Sequence, residues 1–268
     1  AAGSPRQVAP SPPPKKKTYF VVFEIQKVLA YIQNIGESDI SGLVHKPNDK
    51  CFDEVSVTLV NRSDQVRVLS NFVEFWSRLA SLDNVFPLVW SDMPYVQTKG
   101  ISDFLFQSCP RPPGRILCRN DMHGMIDRNG YSHRKPKSLG SLKVHGSVYV
   151  VKDMRETLWS RSHRFVFDPD PPEDDRYPDQ SNTLLIDPNC EINVMTPGNV
   201  LHPKPWHSPT ERHSCLVTQL FPFIWQLALS GQSVPPFMNK YRSRVEGYDP
   251  LKSDAHVCVE LRAWLKCR

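Results

Sequence analysis

The stretch that most constrains this chain is 18–30, TYFVVFEIQKVLA. Five residues, Tyr19 to Phe23, form an unbroken apolar run that ends in Glu24-Ile25-Gln26-Lys27. Such a run reads as a strand buried on both faces, as in a parallel sheet flanked by helices. Ligands of such sheets sit just beyond the carboxyl ends of the strands. Glu24, Gln26 and Lys27 therefore stand where chemistry is to be expected.

Other segments extend the pattern. Residues 55–60 alternate apolar and polar side chains, with Val55, Val57 and Leu59 on one side, which predicts a half-exposed strand. Within 70–80, Phe72, Phe75, Trp76 and Leu79 recur at helical spacing, with Ser70 or Asn71 as the cap. Strands are predicted over 84–90, 115–118, 147–151 and 182–186, and helices over 93–107, 153–159 and 214–229. Residues 32–50, 119–146 and 160–181 read as polar, turn-rich connections. Alternating strands and helices predict an α/β fold, three layers around a mostly parallel central sheet of Rossmann-like type. Residues 1–17, with five prolines and Lys15-Lys16-Lys17, read as a disordered lead, since such a segment buries too little to offset its ordering entropy. The domain is expected over 18–240, with 241–268 as an extension that packs on or beside it.

The 268 residues are 40% hydrophobic, enough for a large core, and no apolar run reaches the length of a membrane span. A net charge of +5 without a long basic run gives no signal for nucleic acid. The seven cysteines form no CxxC pair, which argues against structural zinc and for reduced thiols inside the cell, in the nucleus or an organelle. PPPKKK reads as a solvated linker in preference to a nuclear signal.

Four strand ends carry polar groups in order: Glu24 with Gln26, Ser91, Lys152 and Asp187. With VVFEIQKVL, NFVEFWSRLA then PLVWS, VYVVKDMRETLW and SNTLLIDPNCE, this order resembles the haloacid-dehalogenase superfamily of phosphoryl-transfer enzymes. Within it, the chain is similar to the RNA polymerase II C-terminal-domain phosphatase-like branch, also called NLI-interacting-factor-like. The resemblance covers about residues 18–240. It implies an Asp-x-Asp at the first strand end, in which one carboxylate attacks phosphorus and the other moves the proton. It also implies a hydroxyl and a lysine on the phosphoryl oxygens, and magnesium on the first acid and a later one. By that resemblance Glu24 holds the nucleophile position and Gln26 the acid/base position. Ser91, Lys152 and Lys27 are the phosphate-binding candidates, and Glu24 and Asp187 the metal candidates.

The departures are chemical. Glu24 is one methylene longer than Asp, and a reactive atom displaced by about 1 Å costs on the order of a hundredfold in rate. Gln26 can neither give nor take a proton at neutral pH, which removes a factor of roughly 10²–10⁴. Lys27 replaces a glycine, and Pro188 leaves Asp187 without an acidic neighbour. The leading expectation is a catalytically impaired phosphatase homologue, a pseudophosphatase, that binds a protein partner or phosphoprotein and holds magnesium weakly or not at all. The alternatives are a slow magnesium-dependent serine/threonine phosphatase with an acyl-phosphate on Glu24, and a structural subunit of a larger assembly. The phosphatase-like receptor of the mitochondrial presequence translocase is the analogy for the latter. Singly, Lys152 reads as a surface lysine, Asp187 as a turn residue and Ser91 as a helix cap; together and in order they favour a phosphate pocket. Asp168-Pro169-Asp170 is set aside because too little chain follows it. His202, His207 and His213 read as loop histidines.

Overall fold

The computed structural model describes residues 16–35, 52–59, 62–69, 71–126, 130–131, 148–159, 177–189, 196–206 and 216–245. The apolar run Tyr19–Phe23 (β1) forms the centre of a five-stranded parallel sheet. Its neighbours are Val85–Trp90 (β5) on one side and Thr183–Ile186 (β10) on the other. Ile116–Leu117 (β6) pairs outside β5, and Val200–Leu201 (β11) pairs outside β10. The α/β class and the mostly parallel central sheet predicted from sequence are therefore present.

The order β11-β10-β1-β5-β6 makes β1 a reversal point. The chain first builds outward through β5 and β6, then returns to lay β10 on the opposite edge of β1. In parallel sheets, a reversal such as that between β1 and β10 is where ligands are expected, beyond the carboxyl ends of the strands.

Alternate residues of β1 face two different cores. Tyr19, Val21 and Phe23 pack with Phe72–Ala80 (α1), Tyr95–Phe106 (α2), Phe221–Ser230 (α4) and Val234–Tyr241 (α5). Phe20 and Val22 face a smaller cluster with Phe86, Leu88, Trp90, Met122, Met154 and Leu158. Only the short helix Met154–Thr157 (α3) covers that second face among the described helices. In α1 the four residues picked out by spacing are all buried, and Phe75 and Trp76 lie against Phe23 with ring centroids 5.8 and 5.7 Å apart. Asn71 precedes α1 but makes no side-chain cap bond. Asn84 ties the layers together: its amide donates to the Lys17 and Ala228 carbonyls at 2.9 and 3.0 Å.

Three expectations are corrected. Val148–Val151 (β9) does not join the parallel sheet; it pairs antiparallel with His123–Ile126 (β7), which also carries Gly130–Tyr131 (β8). A short apolar run fixes burial but not its partner, and β7 supplies a nearby antiparallel edge. The strand expected over 55–60 is present, whereas the connection expected from residue 32 begins within a strand. Ala30–Ile35 (β2), Phe52–Leu59 (β3) and Arg62–Leu69 (β4) form an antiparallel sheet in the order β2-β4-β3. The helix predicted over 214–229 is a π-type turn over Leu216–Leu220 followed by α4. Pro222 lacks the N–H that would continue a regular ladder there.

Residues 1–15, 168, 170, 207, 213 and 246–268 lie outside the described residues, as do five of the seven cysteines. Of the described cysteines, Cys109 and Cys118 are free thiols. No described helix is long and apolar enough to cross a membrane.

Phe75 is fully buried between α1 and β1. Its replacement by alanine leaves a cavity at the sheet centre, so Phe75→Ala should lower unfolding free energy by about 3–5 kcal/mol. Urea denaturation with an unchanged slope checks this; a loss under about 1 kcal/mol contradicts the packing described.

Candidate active site at the carboxyl ends of the sheet

Each strand beside the reversal point ends in a polar residue. Glu24 follows β1, Ser91 follows β5 and Asp187 follows β10. Backbone bonds hold all three in place: Glu24 N–H donates to the Ile186 carbonyl at 2.9 Å, Ser91 N–H to Leu117 at 3.0 Å and Asp187 N–H to Leu201 at 3.0 Å. Lys152 arrives from elsewhere, immediately after β9. Its side chain reaches the parallel sheet from the small antiparallel one.

The Lys152 ammonium is fully buried. It donates to Asp187 Oδ2 at 2.6 Å, to the Trp90 carbonyl at 2.7 Å and to Glu24 Oε2. Three donors meet three acceptors, so the buried charge is completely satisfied. Glu24 Oε1 accepts from the Ser91 hydroxyl at 2.9 Å and from the Gln26 N–H at 3.1 Å. Asp187 Oδ1 accepts from the Asn189 N–H at 2.8 Å. Glu24, Ser91, Lys152 and Asp187 are therefore one hydrogen-bonded cluster, though they lie as many as 163 positions apart, between 24 and 187.

Gln26 joins this cluster through its main chain. Lys27 stays outside it, exposed, in a turn where the Leu29 and Ala30 N–H groups both donate to the Ile25 carbonyl. Lys27 has φ 67°, a left-handed conformation that costs a non-glycine residue roughly 1–2 kcal/mol. Its carbonyl accepts from the Trp206 N–H at 3.0 Å, which helps hold that turn.

Two further groups border the cluster. Asp92 lies half-buried beside Ser91 and adds negative charge near Glu24. His202, read as a loop histidine, places Nδ1 2.7 Å from the Asp187 carbonyl. A carbonyl only accepts, so Nδ1 carries the proton in that bond. The signal for Asp92 was its place next to Ser91. For His202 it was the place beyond β11, the strand paired with β10.

One cation among these carboxylates leaves an excess of negative charge in a dry place. Burial pushes the Glu24 carboxyl up to about 7, against the pull of Lys152 and with help from Asp187 and Asp92. Burial opposes the Lys152 charge too, but Asp187 and Glu24 outweigh it and raise the ammonium above its usual range.

Magnesium, as the resemblance implies it, would need Glu24 and Asp187 as ligands. Lys152 bridges those two carboxylates, and all four of their oxygens already accept hydrogen bonds. Asp92 lies near Glu24, but no group of three or more His, Cys, Asp or Glu side chains with metal-holding geometry occurs among the described residues. A dication would have to share this space with the ammonium. As arranged, the donor set does not fit one.

The raised Glu24 carboxyl has a consequence for stability. The unfolded chain releases this proton near the ordinary value of 4.5, whereas the folded chain holds it to about 7. Between those values the folded state binds more protons, so its stability falls as pH rises. The contribution is fully present below about 4.5 and lost through about 7. Wild type should therefore lose stability relative to Glu24→Gln across that window, in urea titrations run with chelator. A pH-independent difference between the two contradicts this.

No protein family profile matches the chain, and no curated protein sequence does. Among the solved structures that align with it are two phosphatase structures. One is of Fcp1, an essential RNA polymerase II CTD phosphatase, with 11% identity and a TM-score of 0.43. The other is an arginine-to-alanine variant of the fission yeast RNA polymerase II CTD phosphatase Fcp1 bound to beryllium fluoride, with 10% identity and a TM-score of 0.40. Each alignment covers 93% of this chain and 62% of the solved one, so the chain spans about three fifths of the length of the proteins it aligns with.

Proposed function

We propose that this chain is a catalytically impaired phosphatase homologue of haloacid-dehalogenase type that works as a binding or scaffold module for a protein partner. The observation that carries this reading is the state of Glu24. Phosphoryl transfer to a carboxylate needs an oxygen lone pair aimed at phosphorus and free to form a bond. Three of the four acceptor sites of the Glu24 carboxylate are taken, two on Oε1 by Ser91 and the Gln26 N–H and one on Oε2 by Lys152.

The second requirement is a proton for the departing alcohol. Gln26 has a carboxamide at the position the resemblance gives to the acid, and an amide cannot supply that proton. Ser91 and Lys152 are suited to hold phosphoryl oxygens, but here they bond to Glu24. Support for a protein partner comes from Tyr95 and Val96. They open α2 a few residues beyond Ser91 and are 52% and 63% exposed. Apolar side chains left open near these strand ends suit a docking protein.

The full chain assayed with magnesium and an aryl phosphate should show no turnover above a Glu24→Ala variant. Magnesium-dependent hydrolysis that vanishes in that variant contradicts the reading, and selects instead a slow phosphatase with an acyl-phosphate on Glu24.

A further inference from the structure

The sequence 216–230, LVTQLFPFIWQLALS, has no charged residue. Within it, α4 carries apolar side chains on every side, with Gln226 and Ser230 as its polar residues. Phe223, Ile224, Leu227 and Ala228 pack into the core that β1 shares with the helices. The opposite side stays open. Trp225 is 48% and Leu229 66% exposed, and Pro222 is exposed with them, so the three stand at i, i+3 and i+7. A helix at the surface of a globular protein shows solvent a polar face, whereas one that is apolar all round is covered all round. Among the described residues, α4 is covered on one side.

A second apolar stripe is written in the same chain. In 257–268, VCVELRAWLKCR, the residues Val257, Leu261, Trp264 and Leu265 fall at i, i+4, i+7 and i+8, while Arg262 and Lys266 fall on the opposite face of the same helical wheel. We propose that residues 257–265 form a helix along the open side of α4, with Leu261, Trp264 and Leu265 against Trp225 and Leu229. Each stripe lacks the apolar partner that the other offers. A second copy packed α4 to α4 would leave the 257–265 stripe bare, whereas this pairing covers both. The segment is also within reach. Val245 is buried in the same cluster as Ile224 and Leu227. Beyond it, the mostly polar stretch 246–256 is about 11 residues and spans up to roughly 36 Å when extended, against about 15 Å for the whole of α4. Such a tether holds the segment at an effective concentration in the millimolar range, so a modest apolar contact is enough to seat it. The pairing involves neither Glu24 nor the other groups at the strand ends, and it stands whether or not the chain turns over phosphate.

Hydrogen exchange on the full chain, read by mass spectrometry, tests the pairing. In wild type the amides of 257–265 should exchange at least about tenfold more slowly than in a synthetic peptide of residues 246–268. Leu229→Asp places a charge on the open side of α4 and should return those amides to the rate of the peptide, while the amides of 19–23 stay protected. Trp225→Ser is a milder change on the same side and should remove part of the slowing, which keeps the test in force if Leu229→Asp does not fold. Leu261→Asp, made on the segment itself, should release it without loss of protection in 19–23. The slowing in wild type should not depend on protein concentration. Exchange at the peptide's rate in wild type overturns the proposal. So does slowing that neither α4 variant reduces, or that survives Leu261→Asp. Slowing that appears only as protein concentration rises also overturns it, and assigns the open side of α4 to a second copy.

Discussion

Lys152 carries an ammonium into the interior and meets Glu24, Asp187 and the Trp90 carbonyl there. An ionised side chain so fully buried costs several kcal/mol in lost hydration, and only close partners offset it. Each partner here belongs to a different strand of the parallel sheet. The lysine itself belongs to the antiparallel sheet, so one ion ties two sheets together at the point where the strand order reverses. Ser91 and the Gln26 N–H bond to one of the two carboxylates that hold this ion, and His202 bonds to the main chain of the other.

The composition of the site and its hydrogen bonding point in different directions. A hydroxyl, a lysine and two acids at the carboxyl ends of parallel strands are a sound set for holding an anion and a cation. In this chain the set closes on itself. Glu24 uses its extra methylene to reach the hydroxyl and the ammonium, and the ammonium stands between the carboxylates. Both carboxylates hold the one ammonium, which offsets the cost of burying its charge.

Much of the fold was legible because burial writes itself into local pattern. The unbroken run of β1 and the i, i+3, i+4, i+7 spacing of α1 identify those elements without outside help. What pattern does not encode is the partner. Residues 148–151 are apolar enough for the central sheet, and nothing within them says that they pair with residues 123–126 instead. β4 hides its two buried valines, Val66 and Val68, among Arg62, Asp64, Gln65 and Arg67, so its alternation is easily read as a polar connection. α5 begins with Pro235 and Pro236, which suggest a loop but are tolerated in a first helical turn. The site divides the same way. Glu24, Ser91, Lys152 and Asp187 could be named from their order at strand ends. The turning of Glu24 toward Ser91, the main-chain role of Gln26 and the exposure of Lys27 depend on three-dimensional reach.

The central claim is that the buried ammonium and its two carboxylates act as one unit. Chemical denaturation of Lys152→Met beside the triple variant Glu24→Gln/Lys152→Met/Asp187→Asn measures this directly. The single change strands two buried acids and should cost about 3–5 kcal/mol, most of which the neutral triple variant should recover. A single variant as stable as wild type, or a triple variant no better than the single one, would show that these groups are not coupled as described.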